Sequence, residues 1–354
     1  MTQSNLSVTA PERSFTRKQI SVTFDVALPG GGIDSVTLEG AHRIRATIKH
    51  AGMSLGSELA LTIEGMSWRD MNRLSFVENR PNVTNPTLTN QSSTTVTVRA
   101  GTYGKALPTV FHGNVFKAYA SFNGGSAIFT VVARTISLLT KTIPPAISYR
   151  GPRNVVSILS DICLQAGITL ADHGGWGSYA TICNHYGEGT SLDQIVDVIE
   201  AVGATCDFVS IPSAQDERGQ SSLGVLHVWG PNYDGSREPR KAETPLIGPE
   251  TGMIGYPEYS ATGLVLNCLF RPDITFNTPI YVQSSQIPAG WLTGANGLNQ
   301  QGQAITARNA PWNGTWTPRN ITHDISSETL NGPWMTTAEC QRTDLSNPYA
   351  FSAK

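Results

Sequence analysis

The sequence predicts a mainly β protein with a helical insert, an α+β chain, and three observations carry that prediction. Apolar and polar residues alternate through much of its first and last thirds. Gly and Pro are plentiful at 34 and 21, while charged residues make up 15% of the chain against a typical share of about 25%. Two segments near the middle carry helix caps and a helical period instead. At 354 residues the chain exceeds the roughly 250–300 at which a single core stops growing, so two or three domains are expected.

The first strand is read from Ile20, Val22, Phe24, Val26 and Leu28, which fall on every second position until Pro29 and three glycines break the run. Val36 and Leu38, then Ile44, Ala46 and Ile48, then Leu59, Leu61 and Ile63 continue the alternation as an antiparallel meander. Ser67 and Asp70 have capping-box spacing, which predicts a short helix with Met71 and Leu74 inward, plugging one end of a barrel or sandwich. Residues 79–93 are rich in Asn, Thr, Pro and Ser and read as a long exposed loop. Strand signals resume at 95–99 and 110–119, and Asn123-Gly124-Gly125 reads as a hairpin turn into the apolar run 127–133, expected to be buried on both faces.

Pro144 and Pro145 end this region. Pro152 sits at an expected first helical position ahead of Val155, Val156, Ile158, Leu159, Ile162 and Cys163, with Gly167 as the stop. A second helix is predicted from the Thr190 to Asp193 capping box, apolar Ile195, Val198, Ile199 and Val202, and a closing Gly203. Short strands follow at 223–229, 264–270 and 274–282. The expected organisation is an N-terminal arm (1–14), a first β domain (15–143), a helix-containing α/β domain (144–205), a second β domain (206–335) and a C-terminal tail (336–354).

Composition argues against several function classes. The net charge is -2 and Lys and Arg form no block, so the footprint of a nucleic-acid or anionic-membrane binder is missing. Residues 1–13 are polar and no apolar run of about 18 residues follows, which predicts a soluble chain without an export signal and without a membrane partner. Cys163, Cys183, Cys206, Cys268 and Cys340 are odd in number and contain no CxxC pair, so neither a disulfide framework nor a zinc ribbon is expected. Cys340, close to the expected tail, is a candidate for cross-linking copies of the chain in an oxidising environment.

Candidate catalytic groups are weak. Gly52-Met53-Ser54-Leu55-Gly56 matches the G-x-S-x-G of a hydrolase elbow, but the segment leaving it alternates as a strand where a helix is required. Cys183 and His185 form half a metal site at most. Asp172-His173 and His323-Asp324 set acid beside base, yet neighbours in sequence point apart in strands. Gly174-Gly175-Trp176-Gly177 follows no convincing parallel strand, and Arg150 and Arg153 suit capping and salt bridging better than anion binding. Trp291, Trp312, Trp316 and Trp334 could build a sugar-binding face or a protein interface. No enzyme activity, cofactor or metal is expected. The alternative reading is a carbohydrate-binding or carbohydrate-active protein, whose dispersed carboxylates nominate no catalytic pair.

One stretch carries a family likeness. Residues 245–257, Pro-Leu-Ile-Gly-Pro-Glu-Thr-Gly-Met-Ile-Gly-Tyr-Pro, are followed by the turn around Pro272, by Tyr281-Val282-Gln283-Ser284-Ser285, and by residues 323–334, which close on Gly332-Pro333-Trp334. In order and wording this resembles the C-terminal half of phage baseplate hub proteins of contractile, Mu-like tails. Gly65-Met66-Ser67 with Met71-Asn72-Arg73-Leu74, Phe111-His112-Gly113 and Ser148-Tyr149-Arg150-Gly151 resemble the same family more loosely. The resemblance implies a homotrimer in which each chain donates two tube-like antiparallel β-barrel domains, with a small helix-containing domain besides, to a pseudo-sixfold ring. That ring would join the tail tube protein to the tail spike protein among baseplate wedge proteins, in a virion assembled in the host cytoplasm, with a lumen open to DNA but no sequence-specific nucleic-acid contact. Exposed strand edges and sparse charge suit such an assembly. The family-like segments nominate Ile247, Glu250, Met253, Tyr256, Ser284, Ser285, Ile325, Glu328 and Trp334 as contact residues. The Gly-, Asn- and Gln-rich segment 289–311 exceeds the family pattern.

Overall fold

The computed structural model describes residues 16–27, 33–52, 55–77, 94–123, 126–215, 221–233, 244–260, 263–284 and 313–342. The expected loop at 79–93, the turn glycines Gly124 and Gly125, Ser54, Ser285, Trp291, Trp312 and the segment 289–311 lie outside the described residues. The protein is mostly β, with four α-helices among the described residues. It divides into two compact units, the larger from residues 16–233 with 324–333, the smaller from 234–323 with the chain from 334 onward and its first fifteen residues.

The larger unit opens with β1 (Lys18–Ala27), β2 (Ile33–Leu38), β3 (Arg43–His50) and β4 (Ser57–Glu64). Helix α1 (Trp68–Leu74), β5 (Phe76–Val77), β6 (Thr95–Thr102), β7 (Thr109–Asn123) and β8 (Ser126–Arg134) follow. Their order is β2-β1-β6-β7-β8-β4-β3, antiparallel throughout, with β5 beside β7. Register explains the core. Ile44 faces Ile63, Ala46 faces Leu61, Leu61 faces Val131 and Ile63 faces Phe129, so the period-2 residues of neighbouring strands share one face. All of these are buried, and Phe24 meets Phe129 edge to face at 6.5 Å. Only alternate residues of the run 127–133 are fully buried, namely Phe129, Val131 and Ala133, so burial on both faces is corrected to burial on one. The order ends at β2 on one side; on the other, β3 is followed by the strand Gly314–Ser327, whose last residues belong to this unit, and no pairing joins β2 to β3 among the described residues.

Ser67 caps α1 as its spacing predicts, its hydroxyl accepting the Asp70 N–H at 3.1 Å, with Met71 and Leu74 buried beneath. The helical region contains α2 (Ser137–Lys141), β9 (Ile147–Ser148), β10 (Pro152–Asn154), α3 (Val155–Ala166), β11 (Thr169–Asp172), β12 (Thr181–Cys183), β13 (Tyr186–Gly187), α4 (Ser191–Val202), β14 (Thr205–Gln215) and β15 (Ser221–Trp229). Helix α3 starts three residues after Pro152, which lies in β10, because the Asn154 side chain accepts the Ser157 N–H and takes the capping role. Both helices end on a left-handed glycine, Gly167 and Gly203, and α4 has the predicted capping box. Ile158, Ile162, Ile195 and Val198 pack on Phe208, Leu226 and Val228 of the sheet β11-β15-β14. Strands β14 and β15 therefore complete this region's own sheet, where the sequence placed them at the start of a second β domain.

The smaller unit contains β16 (Leu246–Ile247), β17 (Glu258–Ser260), β18 (Gly263–Leu269), β19 (Ile280–Val282), most of β20 (Gly314–Ser327) and β21 (Trp334–Arg342). Its order is β17-β18-β21-β20, with β19 antiparallel to β20 and parallel to β16. Ile247, Leu264, Leu266, Ile280, Trp316 and Ile321 form its core. Of the strand expected at 274–282 only 280–282 is extended, since turns at 271–274 and 275–278 occupy the rest. The tail expected from 336 is strand as far as Arg342. Cys340 is buried there opposite Leu264, so the cross-link expected of it has no accessible thiol; Cys183 is the exposed cysteine.

Candidate functional site

The family-like segment 245–257 folds as a strand, a single 3-10 turn and a second turn. Leu246 and Ile247 pair with Tyr281 and Val282, and the Gln283 N–H donates to Ile247 O at 2.9 Å. At Gly248 the backbone is extended, yet only glycine fits, because a Cβ would lie 2.3 Å from Gln283 O. Thr251 then pins the turn: its hydroxyl donates to Leu246 O and accepts the Gly248 N–H, both at 2.8 Å. Gly252, at φ 100°, reverses the chain so that Met253 bridges to Cys268 and the Ile254 N–H reaches Asn267 O at 2.7 Å.

Arg271 fastens this turn from below. It is 5% exposed, and its Nη1 donates to Leu246 O at 3.3 Å and Thr251 O at 3.5 Å, while Nε and Nη2 grip Asp273 at 2.8 and 2.5 Å. Its pKa is shifted by burial, which lowers it, and by Asp273, which raises it; the net direction is up, so the clamp stays charged. Sequence reasoning missed this residue, although a lone cation between Phe270 and Pro272 beside an apolar strand was the available signal.

What the frame holds outward is partly apolar. Ile254, Tyr256, Leu269 and Met335 are 42%, 50%, 38% and 36% exposed. Leu269 and Met335 face each other across β18 and β21, and the Leu269 N–H donates to Gly252 O of the turn at 2.8 Å. The signal for Leu269 was present, because Leu264, Leu266 and Cys268 point inward and period 2 sends the next residue out.

Of the nominated residues in the smaller unit, Glu250 and Tyr256 are exposed as a contact residue must be. Ile247, Met253 and Ser284 are interior: two are core, and Ser284 exchanges hydrogen bonds with the Asn313 carboxamide through its backbone N–H and O. Trp334 packs its ring on Phe270 at 5.1 Å. In the larger unit Ile325 is fully buried, and Glu328 spends its carboxylate on Arg17, at 2.6 Å from Nη2 and 2.9 Å from Nε. Ile247, Met253, Ser284 and Ile325 thus lie inside, while Glu328 is exposed like Glu250 and Tyr256.

The catalytic lookalikes come apart as their chemistry requires. Strand β4 follows the G-x-S-x-G stretch, so no helix receives a nucleophile there. His323 bonds Thr336 Oγ1 at 2.8 Å, whereas Asp324 pairs with Arg45 at 3.2 Å. The Asp172 carboxylate accepts the Gly174 N–H and the Trp176 indole N–H, which occupies the glycine loop with its own chain. His173 lies at 3.0 Å from His227 and stacks on Trp229 at 4.7 Å. Arg153 turns to Asp161 and the face of Tyr149. Trp316 is in the core, so it contributes to no sugar platform. Among the described residues no group of three or more His, Cys, Asp or Glu could hold a metal ion, and no helix is long and apolar enough to cross a membrane.

No family profile and no curated protein matches the chain by sequence. Solved structures do match it by fold. A tail protein from Neisseria meningitidis MC58 superimposes with a TM-score of 0.52 at 9% identity, over 91% of this chain and 96% of that one. A chain of the half-lidded Francisella PdpA-VgrG complex gives 0.50 at 11% identity, over 93% of this chain and 59% of that one. The 43 kDa tail protein of prophage MuSo2 from Shewanella oneidensis gives 0.49 at 10% identity, over 92% and 99%. The chain thus has the fold of the Neisseria tail protein along nearly its whole length.

Proposed function

We propose that the chain is a non-enzymatic baseplate hub subunit of a phage tail, three copies of which form a pseudo-sixfold ring that joins the tail tube to the central spike. The observation that carries this reading is the shared fold with the Neisseria tail protein over 91% of this chain and 96% of that one. The hub-like wording of residues 245–257 and 323–334 supports it from the sequence. A ring of this kind needs two tube-like β-barrel halves per chain, completed by pairing between copies. In the larger unit β2 ends the strand order and does not pair with β3 among the described residues, an edge compatible with that arrangement.

The proposed contact surface of the smaller unit comprises Glu250, Ile254, Tyr256, Leu269 and Met335, where half-exposed apolar side chains sit on a rigid backbone frame. Rigid aromatic and aliphatic anchors lose little entropy on docking and so bind efficiently. Spike, tube and wedge proteins are the proposed partners, in the virion baseplate. The test is the mass of the purified chain by light scattering, alone and mixed with its spike protein. A species of three chains that captures the spike is expected; a monomer that stays monomeric at every concentration and ignores the spike overturns the reading.

A further inference from the structure

The chain contains four Asn-Gly pairs, and the structure describes both residues of two, Asn313-Gly314 and Asn331-Gly332. This dipeptide reacts without an enzyme, because glycine has no side chain to shield its backbone nitrogen from the asparagine carboxamide beside it. The two pairs share this local chemistry and differ in their surroundings. Asn313 is held at both ends of its carboxamide: Oδ1 accepts the Ser284 N–H at 2.8 Å, and Nδ2 donates to Ser284 O at 3.3 Å. Ser284 is fully buried, and Gly314 opens β20 in register with Val282 of β19. Turning the Asn313 carboxamide onto the Gly314 nitrogen would break both bonds and strip two buried backbone groups of that partner.

Asn331 stands in the turn between β20 and β21. It is exposed, its backbone is left-handed at φ 53°, and among the described residues no hydrogen bond holds its carboxamide. The Gly332 N–H donates to Thr329 O at 3.2 Å, which closes a four-residue turn with Asn331 at its third position. Positive φ there suits Asn better than most residues that carry a side chain. A Cβ on Gly332 would collide with Ser326 Oγ, so the turn requires glycine at the next position as well. The fold thus selects the reactive pair at an exposed site, and one turn bond at the surface must open to free the Gly332 nitrogen.

We propose that Asn331 is a site of spontaneous deamidation in the folded chain, and that the fold protects Asn313 from the same reaction. Hydroxide removes the Gly332 amide proton, and the nitrogen attacks Asn331 Cγ. A C–N bond forms, the Cγ–Nδ2 bond breaks, and the nitrogen leaves as ammonia after taking a proton from solvent. Water then opens the cyclic imide at either carbonyl, giving aspartate or isoaspartate. Nothing is oxidised or reduced, and water is the co-reactant. The product adds a negative charge to a turn where Glu328 already pairs with Arg17. This chemistry belongs to a single chain and stands apart from the proposed assembly.

The test is peptide mass spectrometry of the full chain after incubation at mildly alkaline pH, folded and in concentrated guanidinium. The readout at each site is the mass gained when an amide nitrogen is replaced by oxygen, with isoaspartate and aspartate products separated by chromatography. In the folded chain, conversion at Asn331 is expected to outpace that at Asn313 by about tenfold or more, the factor that two hydrogen bonds to buried groups supply. In guanidinium the gap is expected to close, since only the fold distinguishes the two pairs. Equal rates in the folded chain overturn the inference, as does an Asn331 that stays intact while the denatured sample converts. A gap that persists undiminished in guanidinium also overturns it, because the cause would then lie in the flanking sequence.

Discussion

The first β region and the C-terminal β region hold their backbones by different means. In β1 to β8, strands of up to fifteen residues satisfy one another's N–H and C=O groups, and the side chains need only be apolar on alternate positions. In β16 to β21 several strands are two or three residues long, and the turns between them need side chains to complete the hydrogen bonding. Thr251 supplies two such bonds, Arg271 two, Asn313 two, and His323 secures Thr336. Long ladders make stability a matter of packed area, whereas short strands concentrate it in a few buried polar residues.

That contrast can be broken most sharply at Phe129. Truncation to Ala in the first region should cost about 3–5 kcal/mol in a denaturant titration, since a fully buried ring opposite Phe24 leaves a cavity. A loss below about 1 kcal/mol would contradict a core held by packing. In the C-terminal region Arg271→Met should cost about 2–3 kcal/mol, because two carbonyls lose a charged donor. Asp273→Asn should cost less than about 1 kcal/mol, its carboxylate being 46% exposed. Equal losses at the two positions would mean that the ion pair, and not the carbonyl clamp, holds the turn.

The helical region between them sharpens the comparison through pH. Burial pushes the Asp207 carboxyl up to about 6, against the pull of the Phe208 N–H, and its Oδ1 has no partner. The folded chain thus holds that proton where the unfolded chain has released it, so stability is lost as pH rises from about 4 to about 6. Asp207→Asn should remove this loss, gaining about 1–3 kcal/mol above pH 6 and progressively less toward pH 4. His227, opposite Asp207 on β15, is held down to about 4 by burial and by His173, and burial alone does the same to His50. Those imidazoles act with the other sign, removing stability as pH falls from about 6.5 toward 4. In the Asn variant their slope should stand unopposed in urea midpoints between pH 4 and 6.5; a flat profile there would contradict neutral buried imidazoles.

The smallest effect is expected on the outer face of the first region. Arg43→Ala breaks a 3.1 Å pair with Glu64, but the arginine side chain is 57% exposed, so the cost should stay within about 0.5 kcal/mol by the same titration. A larger loss would show that surface pairs share the load carried by the core.

The contrast also explains what could be read in advance. Ile44, Leu61 and Phe129 were legible because a long strand writes its buried face as a two-residue period, and Ser67, Thr190 and Gly167 because caps have fixed chemistry. The run 127–133 was over-read, since small or β-branched residues on its outer face mimic burial. In the C-terminal region periodicity failed at 274–279, where turns displace a strand. There the 245–257 wording located the framed turn but could not separate its inside from its outside, which is why Ile247 and Met253 were nominated beside Glu250 and Tyr256. Glu328 is exposed, and its ion pair with Arg17, 311 residues away, is encoded by no local pattern.

The proposed role is tested most directly by electron cryo-microscopy of the assembled tail particle, with this chain identified in the density. Three copies in a ring between a sixfold tube and a threefold spike, with the Tyr256 and Leu269 surface buried against a neighbouring chain, is the predicted result. Density that places the chain elsewhere in the particle, or in a ring of any other copy number, would contradict the account.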